Sequence, residues 1–178
     1  MRFKDKNILV TGAGRGIGRA IALGFASEGA SIAINAAHLS SAEDAAHAAR
    51  EFGGKVIAIE ADTANEAQVE DMMGRVLKEL GGIDVLVNNA GVSQPLMPLV
   101  EQDVVDFDRT VAINLRGTYL CCRAAAKGMI GQGGGKRNRL FQCGPGRAAA
   151  VVCLKIGVQH PSPCDGAVVF EQCYSSPS

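Results

Sequence analysis

Short apolar runs rich in Ile, Val and Ala alternate along this chain with longer, alanine-rich stretches that carry charge. The run Asn7-Ile8-Leu9-Val10 predicts a buried strand over residues 7–11, and Arg19 to Ala26 opens a helix that runs to about Glu28 and stops at Gly29. Residues 30–35 predict a second strand. A second helix is expected from Ser41 to about Phe52, with Ser40 or Ser41 as N-cap, Glu43 and Asp44 in its first turn, and Gly53-Gly54 at its end. Lys55 to Glu60 is a third strand, Asn65 to Leu80 a third helix closed by Gly81-Gly82, and Ile83 to Asn88 a fourth strand. A loop holding Pro95 and Pro98 follows, and then one long helical stretch from about Glu101 to Met129.

Strands alternating with helices of this length predict an α/β fold. A doubly wound parallel sheet carries helices on both faces, and each crossover is right-handed. Ligands of such sheets lie beyond the carboxyl ends of the strands, where the strand order reverses. Thr11, Asp62 and Asn88 all fall at those ends, which points to one shared site.

Composition narrows the picture. The 178 residues suit one domain, 47% of them are apolar, and the formal net charge is zero. A balanced charge gives no reason to expect nucleic acid or an anionic membrane surface as partner. No run of about 18 apolar residues exists, so no bilayer span is expected. The charged start Met1-Arg2-Phe3-Lys4-Asp5-Lys6 has no apolar secretory stretch, which makes the cytoplasm the default location. The six cysteines include no CxxC pair and no accompanying histidine cluster, so no metal site is expected and the thiols are read as free.

The candidate chemistry sits in Thr11-Gly12-Ala13-Gly14-Arg15-Gly16-Ile17-Gly18, between the first strand and the first helix. Glycine accepts the positive φ a tight turn needs, and its missing Cβ lets a pyrophosphate approach the backbone. The free N–H groups and positive dipole end of the following helix would meet that anion. A lone glycine motif means little, but strand before, helix after and a βαβ unit around it form the context of a dinucleotide site.

With Asp62, Asn88-Asn89-Ala90-Gly91 and Asn114 in Val111-Ala112-Ile113-Asn114 added, the chain resembles the short-chain dehydrogenase/reductase family over about residues 3–135. Residues 81–91 are a specific match by themselves. The resemblance implies a Rossmann-like domain and hydride transfer between a nicotinamide cofactor and a small carbonyl or alcohol substrate, in a protein that usually forms homo-oligomers. It implies that Gly12, Gly16 and Gly18 carry the turn and the approach to pyrophosphate. Asp62 would accept a hydrogen bond from the adenine amino group, while Asn89, Ala90 and Gly91 would line the adenosine ribose and stiffen the central strand. Thr11, Gly14, Ile17 and Thr63 complete the implied cofactor contacts. Asn114 would hold a water of the proton relay through its helix backbone, and Val92 to Leu96 would border the substrate.

Cofactor choice turns on Asn35 and Arg15. An acid at the end of the second strand would bind a free ribose 2′-hydroxyl and repel a 2′-phosphate. This chain has Asn35, Ala36 and Ala37 there, and Arg15 in the turn could pair with the phosphate. Both features favour NADP, with NAD as the alternative.

The family pattern stops near Gly135. Its serine after a fifth strand and its Tyr-x-x-x-Lys pair are missing, since neither Tyr119 nor Tyr174 precedes a lysine by four. Residues 136–178 hold four of the six cysteines and four of the six prolines, so two units are expected, a dinucleotide-binding domain over 1–135 and an irregular tail over 136–178. One reading is a divergent tail. Another is a reading-frame shift near Lys136: codons for Asn138 to Cys143 can be chosen so that dropping one base yields Ile-Val-Cys-Ser-Ser, a plausible strand and serine. Val151 to Ile156 similarly yields Leu-Tyr-Ala-Ser-Lys-Ser, one residue short of the family spacing. The sheet is expected to be truncated after about its fourth strand, and on the frame-shift reading that strand becomes an exposed edge. The alternatives to an oxidoreductase are therefore an inactive dinucleotide-binding module and an unstable product.

Overall fold

The structure, a computed structural model, describes residues 1–93 and 97–131 and the backbone of 150–153. Strands β1 (Asn7–Val10), β2 (Ser31–Ala36), β3 (Val56–Glu60), β4 (Val85–Asn88) and β5 (Ala150–Cys153) form one sheet in the order β3-β2-β1-β4-β5. All four pairings are parallel. The chain winds outward from β1 to β3, returns across the sheet and resumes at β4. The order therefore reverses at the carboxyl ends of Val10 and Asn88, the place such sheets reserve for ligands.

Alternation within the strands sorts the core into two layers. Ile8, Val10, Ile32, Ile34 and Val87 face helices α1 (Gly16–Ser27) and α2 (Leu39–Arg50). Leu9, Ala33, Ile57, Ile59 and Leu86 face α3 (Glu66–Leu80) and the last helix, α5 (Thr118–Gly131). The doubly wound α/β architecture expected from the sequence is present. So are the boundaries of α3: the Asn65 side chain accepts from the Gln68 N–H at 3.2 Å, and Gly81 ends the helix at φ 84°.

Three local expectations need correction. Helix α2 begins at Leu39, its N-cap is His38, and no side chain caps it. Ser41 lies inside the helix because it packs on the glycine turn, where a Cβ at Gly14 would come within 2.8 Å of the Ser41 Cβ. The stretch expected as one helix over 101–129 is a short 3-10 turn (Leu99–Glu101), helix α4 (Val104–Val111), a π-helical turn (Ala112–Gly117) and α5. Finally, β4 is not the sheet's edge, because the apolar run Ala150-Val151-Val152-Cys153 pairs with it in register from Val85↔Ala150 to Asn88↔Cys153. The rest of the expected tail, and with it the frame-shift reading, lies outside the described residues.

Candidate functional site

The glycine turn contains two kinds of glycine. Gly12 (φ 62°) and Gly18 are wedged in: a Cβ at Gly12 would stand 2.7 Å from the Ala90 Cα, and one at Gly18 would stand 2.3 Å from the Asn89 Nδ2 and 2.5 Å from the Gly12 carbonyl oxygen. Gly16 (φ 57°) faces open space. It is also the first residue of α1, whose N-cap Arg15 is extended and makes no side-chain cap bond, with no acidic residue in the first turn. The first N–H groups of a helix have no intrahelical partner, so an uncapped start beside an open glycine suits an anion. Arg15 and Ile17 are exposed at this rim. The residues present fit a pyrophosphate.

Below the turn, β1 and β4 are bolted together. Thr11 is buried, and its Oγ1 accepts from the Asn89 and Ala90 N–H groups, each at 3.1 Å, and donates to the Val87 carbonyl at 3.4 Å. The Asn89 Nδ2 donates to the carbonyls of Thr11 and Gly12, both at 3.0 Å. These polar atoms are used inside the protein, so Thr11 and Asn89 shape the site from behind.

Asn35 is placed differently from the sequence expectation. Its side chain is 1% exposed and lies beneath the turn. Strand β2 continues to Ala36, so the exposed rim positions after it are Ala37 and His38.

The loop after β3 forms the other wall. Asp62 is exposed, its Oδ1 accepts from the Ala64 N–H at 2.9 Å, and its own N–H donates to the Gln68 Oε1 at 2.7 Å. Thr63 is buried against Gly117, where a Cβ would sit 3.0 Å from the Thr63 carbonyl oxygen. Arg116 donates to the Ala64 carbonyl and pairs with Glu66 at 3.9 Å. The π-turn is thereby fastened to the Asp62 loop.

Asn114 lies in that π-turn. Its Oδ1 accepts from the Val92 N–H at 2.9 Å, its Nδ2 donates to the Val92 carbonyl at 2.8 Å, and its own carbonyl accepts from the Thr118 hydroxyl at 2.9 Å. Gly91 gives it room, since a Cβ there would lie 3.1 Å from the Asn114 Oδ1. Thus the exits of β1, β3 and β4 and the π-turn bring the candidate residues to one edge of the sheet. Arg116, Gly117 and Thr118, which seat Asn114, were not singled out in the sequence; the Gly-Thr pair inside a helical run was the only available sign. Of the expected substrate border, Val92 and Ser93 are described, while residues 94–96 lie outside.

A sequence model of the short chain dehydrogenase family matches residues 6–136. A short-chain dehydrogenase/reductase of Armillaria gallica is 47% identical over 72% of this chain and 50% of its own length. The crystal structure of an NAD+-bound xylitol dehydrogenase superposes with a TM-score of 0.73 at 35% identity, covering 76% of this chain and 52% of that one. A short chain dehydrogenase from Burkholderia cenocepacia in complex with NADP gives 0.68 at 36% identity, over 72% and 52% respectively. The chain spans about half the length of the relatives it matches.

Proposed function

The chain belongs to the short-chain dehydrogenase/reductase family, and from that premise we propose that it is the dinucleotide-holding part of an NADP(H)-preferring oxidoreductase acting on a small carbonyl or alcohol. The observation that carries this is the uncapped start of α1 beside the open Gly16, opposite the exposed Asp62. A bound nicotinamide cofactor supplies or accepts the hydride. The N–H groups of Gly16, Ile17 and Gly18 hold its pyrophosphate, the Asp62 carboxylate takes the adenine amino group, and Ala90 and Gly91 border the ribose. Asn114, fixed through Val92, orients a relay water. Non-acidic Ala37 and His38 leave a 2′-phosphate unopposed, and exposed Arg15 offers it a cation.

The test is a pair of dissociation constants. NADPH is expected to bind more tightly than NADH and to raise the melting temperature, because a ligand of the native state stabilises it. Tighter NADH binding would reverse the preference; binding of neither would sink the reading.

For residues 1–178 by themselves we propose binding without turnover, because among them no tyrosine stands four residues before a lysine to act as acid and base. Robust NADPH oxidation across a carbonyl panel would overturn this second part. The nucleotide sequence over codons 130–160 separates the two readings of the tail: an indel restoring serine, tyrosine and lysine in family spacing assigns turnover to the corrected protein. The apolar side chains exposed along α4, the π-turn and α5, among them Val104, Phe107, Leu115 and Tyr119, fit a homo-oligomer. No helix among the described residues is long and apolar enough to cross a membrane.

A further inference from the structure

We infer that Asn35 is a positioning residue for the dinucleotide, setting the spacing between the turn that takes the pyrophosphate and the loop that takes the adenine. The inference rests on the dinucleotide reading above. Asn35 stands near the carboxyl end of β2, between β1 and β3. Its Oδ1 accepts from the Gly12 N–H at 3.4 Å. Its Nδ2 donates to the Ala61 carbonyl at 3.0 Å and lies within 3.4 Å of the Ile59 carbonyl and 3.3 Å of the Ala36 carbonyl. Its main-chain carbonyl accepts from the Ala13 N–H at 2.7 Å. One residue thus grips positions 12 and 13 of the turn on one side and position 61, next to Asp62, on the other.

The need for such a link follows from the sheet. Twisted parallel strands diverge beyond their last ladder bonds, so the two loops have no backbone pairing with each other. Strand β2 lies between them and makes main-chain bonds to both, from the Ala13 N–H to the Asn35 carbonyl and from the Ala61 N–H to the Ala36 carbonyl, and the Asn35 side chain adds a tie from one residue to both loops. The chemistry selects asparagine. An N–H faces one terminal atom and carbonyls surround the other, so the site needs an acceptor and a donor on one planar group. An ionised aspartate would set an anion against the carbonyls, and leucine would remove the side-chain partner of the Gly12 N–H and of the Ala61 carbonyl. At 1% exposure, water does not substitute.

A merely structural asparagine would, when lost, weaken all ligands alike. A positioning asparagine matters most to a ligand that spans both loops. ADP-ribose spans them; adenosine reaches only the Asp62 side. In Asn35→Ala, ADP-ribose binding is expected to fall about tenfold, the scale of one lost hydrogen bond, with adenosine changed less than about twofold. Asn35→Asp supplies a conservative rescue. Protonated, its carboxyl accepts from Gly12 and donates to Ala61 as the amide does; ionised, it cannot donate. Burial raises a carboxyl into an accessible range. The variant should therefore bind ADP-ribose about tenfold more weakly near pH 8 than near pH 5.5, a swing absent from the wild type and from Asn35→Ala. The charged and titratable groups on the adjoining segments, Arg15, His38, Glu60 and Asp62, are common to all three proteins, so the wild-type profile is the reference.

Unchanged ADP-ribose affinity in Asn35→Ala, or equal losses for ADP-ribose and adenosine, would overturn the inference. Should Asn35→Ala fail to fold, a flat pH profile in Asn35→Asp would overturn it. These outcomes leave the dinucleotide reading standing if the wild type binds ADP-ribose; a wild type that binds none removes both.

Discussion

The two faces of the sheet are packed with different materials. Between the sheet and α1 and α2 lie Ala22, Ala26, Ala42, Ala45, Ala46 and Ala49, all fully buried. Between the sheet and α3 and α5 lie Val69, Met72, Met73, Val76, Leu120 and Met129. Alanine lets helix and strand backbones approach closely but leaves no adjustable atoms. Methionine fills irregular gaps and adapts. The alanine face also carries the glycine turn, where a Cβ at Gly14 would meet Ser41 at 2.8 Å and Ala36 at 3.1 Å. A rigid close contact there fixes where the N–H groups of α1 point. The methionine face supports loops held by side-chain bonds, such as Arg116 to Ala64 and Asn114 to Val92. The glycine turn is shaped by missing atoms as well as by the Asn35 and Asn89 amides, whereas the seat of Asn114 is shaped by polar clamps.

The largest effect expected from breaking this arrangement is Gly18→Ala. The new methyl would meet a clamped amide nitrogen at 2.3 Å and a backbone oxygen at 2.5 Å, neither of which can retreat cheaply. The cost should reach about 3 kcal/mol or more, at the upper end of overpacking. Gly16→Ala should cost about 1–2 kcal/mol, since only its positive φ is strained. Urea denaturation of both variants gives the ordering, and a Gly16→Ala that costs as much as Gly18→Ala would refute the division into wedged and open glycines.

A middle-sized effect tests the two faces directly. Ala46→Leu adds three carbons where none fit and should cost about 1–3 kcal/mol, whereas Met72→Leu conserves volume and should cost under about 1.5 kcal/mol. Equal denaturation midpoints for the two would show that the alanine face has slack, and the rigid-versus-adaptable contrast would fall.

Much of this was legible in the sequence because the signals were local. Asn65 and Gly81 bound α3 by short-range hydrogen bonding and a positive φ, and both could be read off the chain. The glycine turn carried its own spacing. What could not be read depended on distant contacts. Ser41 lies inside α2 beside Gly14 of the glycine turn, and the N-cap is His38, which makes no cap bond. Asn35 looked like a rim residue because strand register shows which residues end a strand, not how far the strand runs on; one more residue of β2 put it inside. The π-turn at Asn114 packs its Gly117 closely against Thr63, fifty-four positions away. The strand over 150–153 was hidden because its neighbours in sequence carry cysteine and proline, while the pairing partner is β4.

The smallest effect concerns how the alanine face is closed at the foot of α1. Glu28 ends that helix, and its Oε2 accepts from the Arg2 N–H at 3.0 Å, with the chain's terminal ammonium 3.9 Å away. The Arg2 hydrogen bond, helped by the nearby positive charges, holds the Glu28 carboxyl below its ordinary value. A carboxyl lowered on folding stabilises the native state above its unfolded value, and that contribution is lost as pH falls through the folded one. Glu28→Gln should therefore melt slightly lower than the wild type at neutral pH, and the gap should close on acidification through the carboxylate range. The effect stays small because the group is solvent-screened. Melting curves of the two proteins across that range decide it. A gap that persists unchanged in acid would mean that Glu28 acts through packing rather than charge, and that the foot of the alanine face is closed by shape alone, as its centre is.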